Sequence, residues 1–319
     1  SPSLTSEKDD AVIISALVAD QEVEFHKDEQ GIWSGSLTLA NGMVDTDNAE
    51  ISFAVTLTDE AGNITVVTET QAEINVCYYA PIADAIAALD FCSDNEMATY
   101  YAKDGDTVTI TLTATHPVSI ENALIADSPV AFTSDDGLVW ACTYLLRDHD
   151  IPGYTDITFS FDITDAAGNA PVQKSHANAP AIRYFPPLEE AFTRMEFTSG
   201  NTNPAYAKNG DQVTLSFATS HPVMIRDMWI AGQAVTPVDL GGGMKWLAVY
   251  VVAGGDIEDN TDIPFRFTAC DVAGNTPLAR THLELEPIRY QAPLVINNLA
   301  MVSNHSDRKS TRLNSSHIT

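Results

Sequence analysis

The pentapeptide Asp-x-Ala-Gly-Asn occurs three times in this chain, at 59–63, 165–169 and 271–275, with a constant spacing of 106 residues. Each copy closes an alternating run: Ile51, Phe53, Val55, Leu57; then Ile157, Phe159, Phe161, Ile163; then Ile263, Phe265, Phe267, Ala269. Apolar residues at every second position describe a strand with one face on a core and the other in water. The pentapeptide supplies the turn, because Gly and Asn tolerate positive φ and the Asp carboxylate accepts backbone N–H groups. One β-unit, repeated, is the only reading that accounts for all three runs.

The remaining landmarks follow the same period. Residues 81–186 and 187–292 are complete copies. Each opens with a short strand (Leu89, Phe91; Met195, Phe197) and passes an Asp104-Gly105 or Asn209-Gly210 turn. A strand alternating Val108, Ile110, Leu112 or Val213, Leu215, Phe217 follows, and His116-Pro117 or His221-Pro222 ends it. About seven short strands per copy, separated by turn residues, predict an all-β fold of tandem immunoglobulin-like Greek-key β-sandwiches.

Residues 1–80 read as a copy truncated at its N-terminus, since Ala16–Asp20 matches Ala123–Asp127, and Trp33 matches Trp140 and Trp246. Residues 293–306 read as the start of a fourth copy, and the whole as a fragment. The joints Tyr79-Ala80-Pro81 and Phe185-Pro186-Pro187 leave little slack, which predicts a semi-rigid rod. Residues 307–319 differ in kind: Asp307 to His317 resembles a translated sequencing adapter, and we give it no functional weight.

Composition excludes some partners. Lys and Arg total 16 against 44 Asp and Glu, a formal charge of −28. Nucleic acid and anionic lipid both require basic patches, so neither is expected. No apolar run approaches the roughly 18–20 residues of a membrane helix, so membrane insertion of this segment is not expected either.

The motifs Ala102-Lys103-Asp104-Gly105-Asp106, Ala207-Lys208-Asn209-Gly210-Asp211 and Ile230-Ala231-Gly232-Gln233-Ala234-Val235 stand beside the middle-strand Trp and Asp-x-Ala-Gly-Asn. Together they resemble the bacterial immunoglobulin-like domains found in tandem in large surface adhesins and secreted proteins. The resemblance implies an extracellular or cell-surface location and a non-catalytic spacer or adhesive role, sometimes stiffened by calcium. Its implied partners are neighbouring repeats of the same chain and host or environmental glycans or proteins. Family members often carry Ser-Glu-Pro where this chain has Thr115-His116-Pro117 and Ser220-His221-Pro222; the departure carries no chemistry legible in the sequence.

Candidate sites are few. Trp33, Trp140 and Trp246 share a strand face with the small residues Gly35, Cys142 and Ala248, which reads as core packing rather than sugar stacking. Cys142 reads as a small buried residue, while Cys77, Cys92 and Cys270 fall on the outward side of their strands. Unpaired thiols are favoured, with a Cys77–Cys92 bond across the joint as the alternative. No His spacing suits a metal, no nucleophile motif recurs, and an enzyme is not expected.

The acidic loops rise above this background. Asp104, Asp106, Asp148 and Asp150 fall at one pole of the second repeat, where head-to-tail stacking brings Asp271 and Asn275 of the third. Calcium prefers oxygen ligands gathered from several loops, so these six are the candidate calcium ligands, with solvated turns as the competing reading. The best functional reading is a structural, adhesion-associated spacer. The alternatives are a glycan- or protein-binding module and an accessory array of a secreted enzyme. Exposed aromatics clustered on one repeat alone would favour binding; equivalent surfaces on all repeats would favour the spacer.

Overall fold

The computed structural model describes residues 3–4, 11–68, 76–147, 149–296 and 300. Asp148 and the adapter-like tail therefore lie outside the described residues. The chain is a series of immunoglobulin-like β-sandwiches. In the second repeat, Ile86–Ser93, Thr107–Ala114 and Val139–Leu145 form one antiparallel sheet. Ser128–Pro129, Val118–Ile125, Phe159–Asp165 and Val172–Ser175 form the other. The third repeat follows the same plan: Phe192–Ser199, Gln212–Thr219 and Lys245–Val251 face Met224–Ile230, Phe265–Cys270 and Leu278–Thr281.

The alternation in sequence becomes alternation in burial. Val108, Ile110 and Leu112 are fully buried, while the Thr residues between them are half-exposed. Phe159, Phe161 and Ile163 oppose them from the second sheet, and Phe91 meets Phe159 edge to face at 4.9 Å. Each buried aliphatic or aromatic side chain contributes about 1.5–3 kcal/mol relative to exposure, so a repeat holding this face has its own core. In the first repeat Leu4 pairs with Trp33, the register that Leu112 keeps with Trp140.

Two local features were not foreseen. Each joint leads through Pro81 or Pro187 into one helical turn, Ile82–Ala85 or Leu188–Ala191, before the first strand. The turn buries Ile82 and Ala85, or Leu188 and Ala191, and the carbonyls of Ala85 and Ala191 accept from Thr115 and Ser220 N–H. The start of each repeat is thereby tied to its His-Pro loop. In addition Cys270, read from sequence as outward, is buried with its thiol 3.6 Å from the Met224 carbonyl.

The Asp-x-Ala-Gly-Asn turns are alike in all three repeats. Gly62, Gly168 and Gly274 have φ near +79, +79 and +76°, as the turn demands. The Asn does not, and its use is different from the one expected. Asn169 N–H donates to Asp165 Oδ1 (3.1 Å) and its side-chain amide to Oδ2 (2.7 Å). Asn275 and Asp271 repeat this at 3.1 and 2.8 Å, Asn63 and Asp59 at 2.9 and 2.9 Å.

Candidate functional site at the joints between repeats

The Asn amide has a second task. Asn169 Nδ2 also lies 3.3 Å from the Tyr79 carbonyl and 3.0 Å from that of Ala80, in the linker from the preceding repeat. Asn275 Nδ2 reaches the Phe185 and Pro186 carbonyls, both at 3.2 Å. In the second and third repeats the residue that closes the turn thus holds the incoming chain.

At the joint of the first and second repeats, this clasp sits beside a fully buried imidazole. His116 Nδ1 lies 2.7 Å from Asp47 Oδ2, contributed by the first repeat, and Nε2 lies 3.2 Å from Asp165 Oδ2. Thr115 Oγ1 donates to the same Asp47 oxygen, and Ala80 N–H donates to Asp47 Oδ1 at 2.7 Å. Tyr79 stacks on the ring, centroids 4.4 Å apart and planes 13° apart.

Neutral imidazole has one N–H, so with a carboxylate oxygen at each nitrogen only the imidazolium donates to both. Burial pushes the Asp47 carboxyl up, but its hydrogen bonds from Thr115, Ala80 and His116 outweigh this and hold it below 3.8. Asp165 is likewise lowered: burial opposes, and the Asn169 side chain and the N–H groups of Asn169 and Gly168, with His116, prevail. The arrangement is not a nucleophile with its base. Thr115 is turned to Asp47, and His116 is 0% exposed, out of reach of any substrate.

The second joint uses the same loop differently. His221 is also 0% exposed, but Nε2 stands 3.5 Å from Asp271 Oδ2, the outer limit of a hydrogen bond. Among the described residues neither ring nitrogen has a partner in hydrogen-bonding geometry. The walls are aromatic: Phe185 lies edge-on at 5.6 Å and Tyr154 at 5.9 Å. Gly153 and Tyr154 occupy the places of Asp47 and Asn48, and among the described residues no carboxylate of the second repeat is paired with the ring. Asn95 compensates in part, donating to Asp106 Oδ2 (2.7 Å) and to the Ala273 carbonyl (3.0 Å) across the joint.

The six residues expected from sequence around calcium are distributed as follows. Asp106 accepts from Lys103 Nζ, Lys103 N–H and Asn95, so both its oxygens are engaged. Asp104 accepts from Tyr184 Oη at 2.5 Å, and Asp150 from Tyr144 Oη and Arg147 N–H. Asp271 and Asn275 bond to each other. Asn95 links the Asp106 pole to the Asp271 turn; Asp148 is outside the described residues. Among the described residues no three His, Cys, Asp or Glu side chains converge on a point suited to a metal.

Aromatic residues gather on one repeat. Tyr100, Tyr101, Phe185 and Tyr154 form a chain of edge contacts of 4.6, 5.2 and 4.9 Å, and the Arg183 guanidinium covers Tyr154 at 4.8 Å. Tyr100 is 57% exposed. The same places in the third repeat hold Ala205, Tyr206, Gln291 and Asn260. Trp33, Trp140 and Trp246 are half-buried; Trp140 and Trp246 pack on the cores of their repeats, their Nε1 donating to the Gly137 and Gly243 carbonyls at 3.1 and 3.0 Å.

The sequence missed the His-Pro loops as site residues. Their recurrence was visible, but their acceptors lie in another strand or another repeat.

Residues 17–75 match the family of bacterial Ig-like domains. No curated protein sequence matches the chain. Among solved structures it is similar to the protocadherin gamma B4 extracellular domain (12% identity over 92% of this chain and 44% of that one, TM-score 0.34). It is also similar to a Bacteroides ovatus mixed-linkage glucan utilization protein, SGBP-B, solved with a heptasaccharide (14%, 91% and 64%, TM-score 0.18). A third is the two-domain Rst D1-D2 (11%, 65% and 98%, TM-score 0.32). The chain spans less than two thirds of the first two of these.

Proposed function

We propose that this array is a non-catalytic, semi-rigid spacer segment of a bacterial surface or secreted protein, acting outside the cell. The observation that carries this reading is the repeated clasp: in both joints one turn Asn is hydrogen-bonded to two linker carbonyls beside a buried His. Domains on a loose linker have no use for buried polar groups at their junctions, because desolvating them costs free energy unless every partner is fixed. Short Pro-containing linkers add stiffness. Small-angle scattering of the full chain against the Asn169→Ala, Asn275→Ala double variant tests this. The variant should show a shorter mean dimension and a broader distribution. Unchanged scattering would leave the joints without the role given to them.

One observation favours a second reading, a glycan-binding surface. Among the described residues the Tyr100, Tyr101, Tyr154 and Arg183 cluster belongs to the second repeat alone, and its exposed Tyr100 beside half-buried Tyr101 and Tyr154 offers both a stacking face and a hydroxyl. Affinity electrophoresis through gels containing neutral polysaccharides, with and without Tyr100→Ala and Tyr154→Ala, separates the two readings. Retardation that depends on these tyrosines supports binding; none in any gel removes it.

A further inference from the structure

The C-terminal pole of the third repeat is built like that of the first. Asp259-Asn260 stands where Asp47-Asn48 stands, and Gln291-Ala292-Pro293 where Tyr79-Ala80-Pro81 stands. The geometry matches. Ala292 N–H donates to Asp259 Oδ1 at 2.7 Å, as Ala80 N–H does to Asp47 Oδ1 at 2.7 Å. Asn260 N–H bonds the Tyr290 carbonyl at 2.9 Å, as Asn48 N–H bonds Tyr78 at 2.9 Å, and both Asn residues lie at φ near +58 to +59°. In the first repeat, the other oxygen of this Asp takes Thr115 and His116 of the next repeat. In the third, Asp259 is exposed.

We propose that this pole is a docking surface for another repeat of the same kind. Asp259 is set to receive the hydroxyl and imidazole of a Ser/Thr-His-Pro loop, and the Gln291 and Ala292 carbonyls to receive the amide of an Asp-x-Ala-Gly-Asn turn. The partner chemistry is read from within the molecule, where the matching pole of the first repeat is seen with that partner seated on it. The second repeat supplies the contrast. Its pole has Gly153-Tyr154 in place of the Asp, and the incoming His221 receives aromatic contacts instead. The poles are thus of two kinds, and one residue position selects between a charged and an aromatic seat for the same loop. Gln291 replaces Tyr79, so the stacking on the imidazole is exchanged for an amide face while the carboxylate is kept.

The inference rests on the reading of the joints as fixed, and its test separates the two. The full chain through residue 292 is extended by a second copy of residues 81–186, joined so that Pro81 follows Ala292 as it follows Ala80. In a parallel protein the extension is a second copy of 187–292. Residual dipolar couplings report whether the added repeat shares the alignment of the third. Histidine-selective 15N spectra report whether its imidazole matches His116 in the first joint.

We expect a shared alignment and an imidazole spectrum matching that of His116 in the first extension, both lost in Asp259→Ala and the imidazole signature weakened in Asp259→Asn. Asp47→Ala in the same protein should release only the first joint. An added repeat that tumbles independently beside native Asp259, or one whose alignment ignores Asp259→Ala, overturns the docking proposal. So does failure of both added copies to fold while the original three repeats stay intact. If Asp47→Ala also leaves the first joint aligned, the fixed-joint reading itself fails.

Discussion

The two joints place the same tripeptide, Ser/Thr-His-Pro, at the same position and satisfy it by opposite means. In the first, His116 lies between two carboxylates, Asp47 and Asp165, and the charges of the trio sum to −1 when the ring is protonated. In the second, His221 lies against Phe185 and Tyr154 with Asp271 at 3.5 Å, and among the described residues neither ring nitrogen is hydrogen-bonded. Polar partners at the first joint fix one geometry, because each bond has a direction. Aromatic walls at the second hold the ring by area, which is less directional. The first joint is therefore expected to be the more sharply oriented of the two, and the more sensitive to any change in charge.

The largest expected effect comes from replacing each His by Phe. His116→Phe leaves the fully buried carboxylate of Asp165, and the partly buried one of Asp47, facing an apolar ring, and removing one partner of a buried pair costs up to about 3–5 kcal/mol. His221→Phe deletes a ring whose two nitrogens both lack a hydrogen-bond partner among the described residues, and it leaves Asp271 the bonds from Ala273 N–H and from the Asn275 N–H and side-chain amide, so it should cost less than His116→Phe. Chemical denaturation of the full chain with one reporter per repeat reads both. Equal losses at both joints would erase the distinction drawn between them.

Smaller, and of the same kind, is Asp47→Asn. The amide oxygen still accepts from Ala80 N–H, but the charge facing His116 is gone. A loss of about 1–3 kcal/mol at the first joint is expected, with the second untouched. Dipolar couplings measured for each repeat would locate the change.

Acid should act next. Asp47, Asp165 and Asp271 all titrate below 3.8 in the folded protein: burial opposes this, and their hydrogen bonds and His neighbours outweigh it. A depressed folded pKa contributes stability above the unfolded value, lost as pH falls through the folded one. Alignment across the first joint, which uses two such groups, should hold at pH above about 3.8 and decay below it, before that of the second. Asp211, held at about 2 by Asn201 and Lys208, should keep its own turn closed further into acid. Loss of the second joint first would reverse the assignment.

Calcium is expected to do least. Lys103, Asn95, Tyr184 and Tyr144 already engage Asp106, Asp104 and Asp150, so an ion must displace protein donors to gather them. Replacing a chelator by millimolar calcium should therefore move the scattering profile less than Asp47→Asn does. A larger, saturable lengthening, lost in Asp104→Asn with Asp106→Asn, would show that these carboxylates leave their partners to hold the ion.

Much of the fold was legible because its signals are local. Val108, Ile110 and Leu112 announce a half-buried strand whatever lies across from them, and Gly168 marks a turn from its own φ requirement. The Asp-x-Ala-Gly-Asn turn was legible as a turn, but not as a clasp. Asn169 bonds Asp165 four residues away and, with the same amide, a carbonyl 89 residues away. Only the first of these is written in the spacing.

The His-Pro loops mark the limit. Sequence alone determined that His116 and His221 occupy equivalent places at the end of equivalent strands. Which one meets a carboxylate from the preceding repeat was decided by that repeat's pole, through Asp47, 69 residues upstream of His116, and its replacement by Gly153 before His221. Periodicity in a strand reflects the side chain's own pleat, so it survives in one dimension. The charge state and bonding of a buried imidazole reflect what is packed against it, and for a residue at a joint that is set only when two repeats are brought end to end.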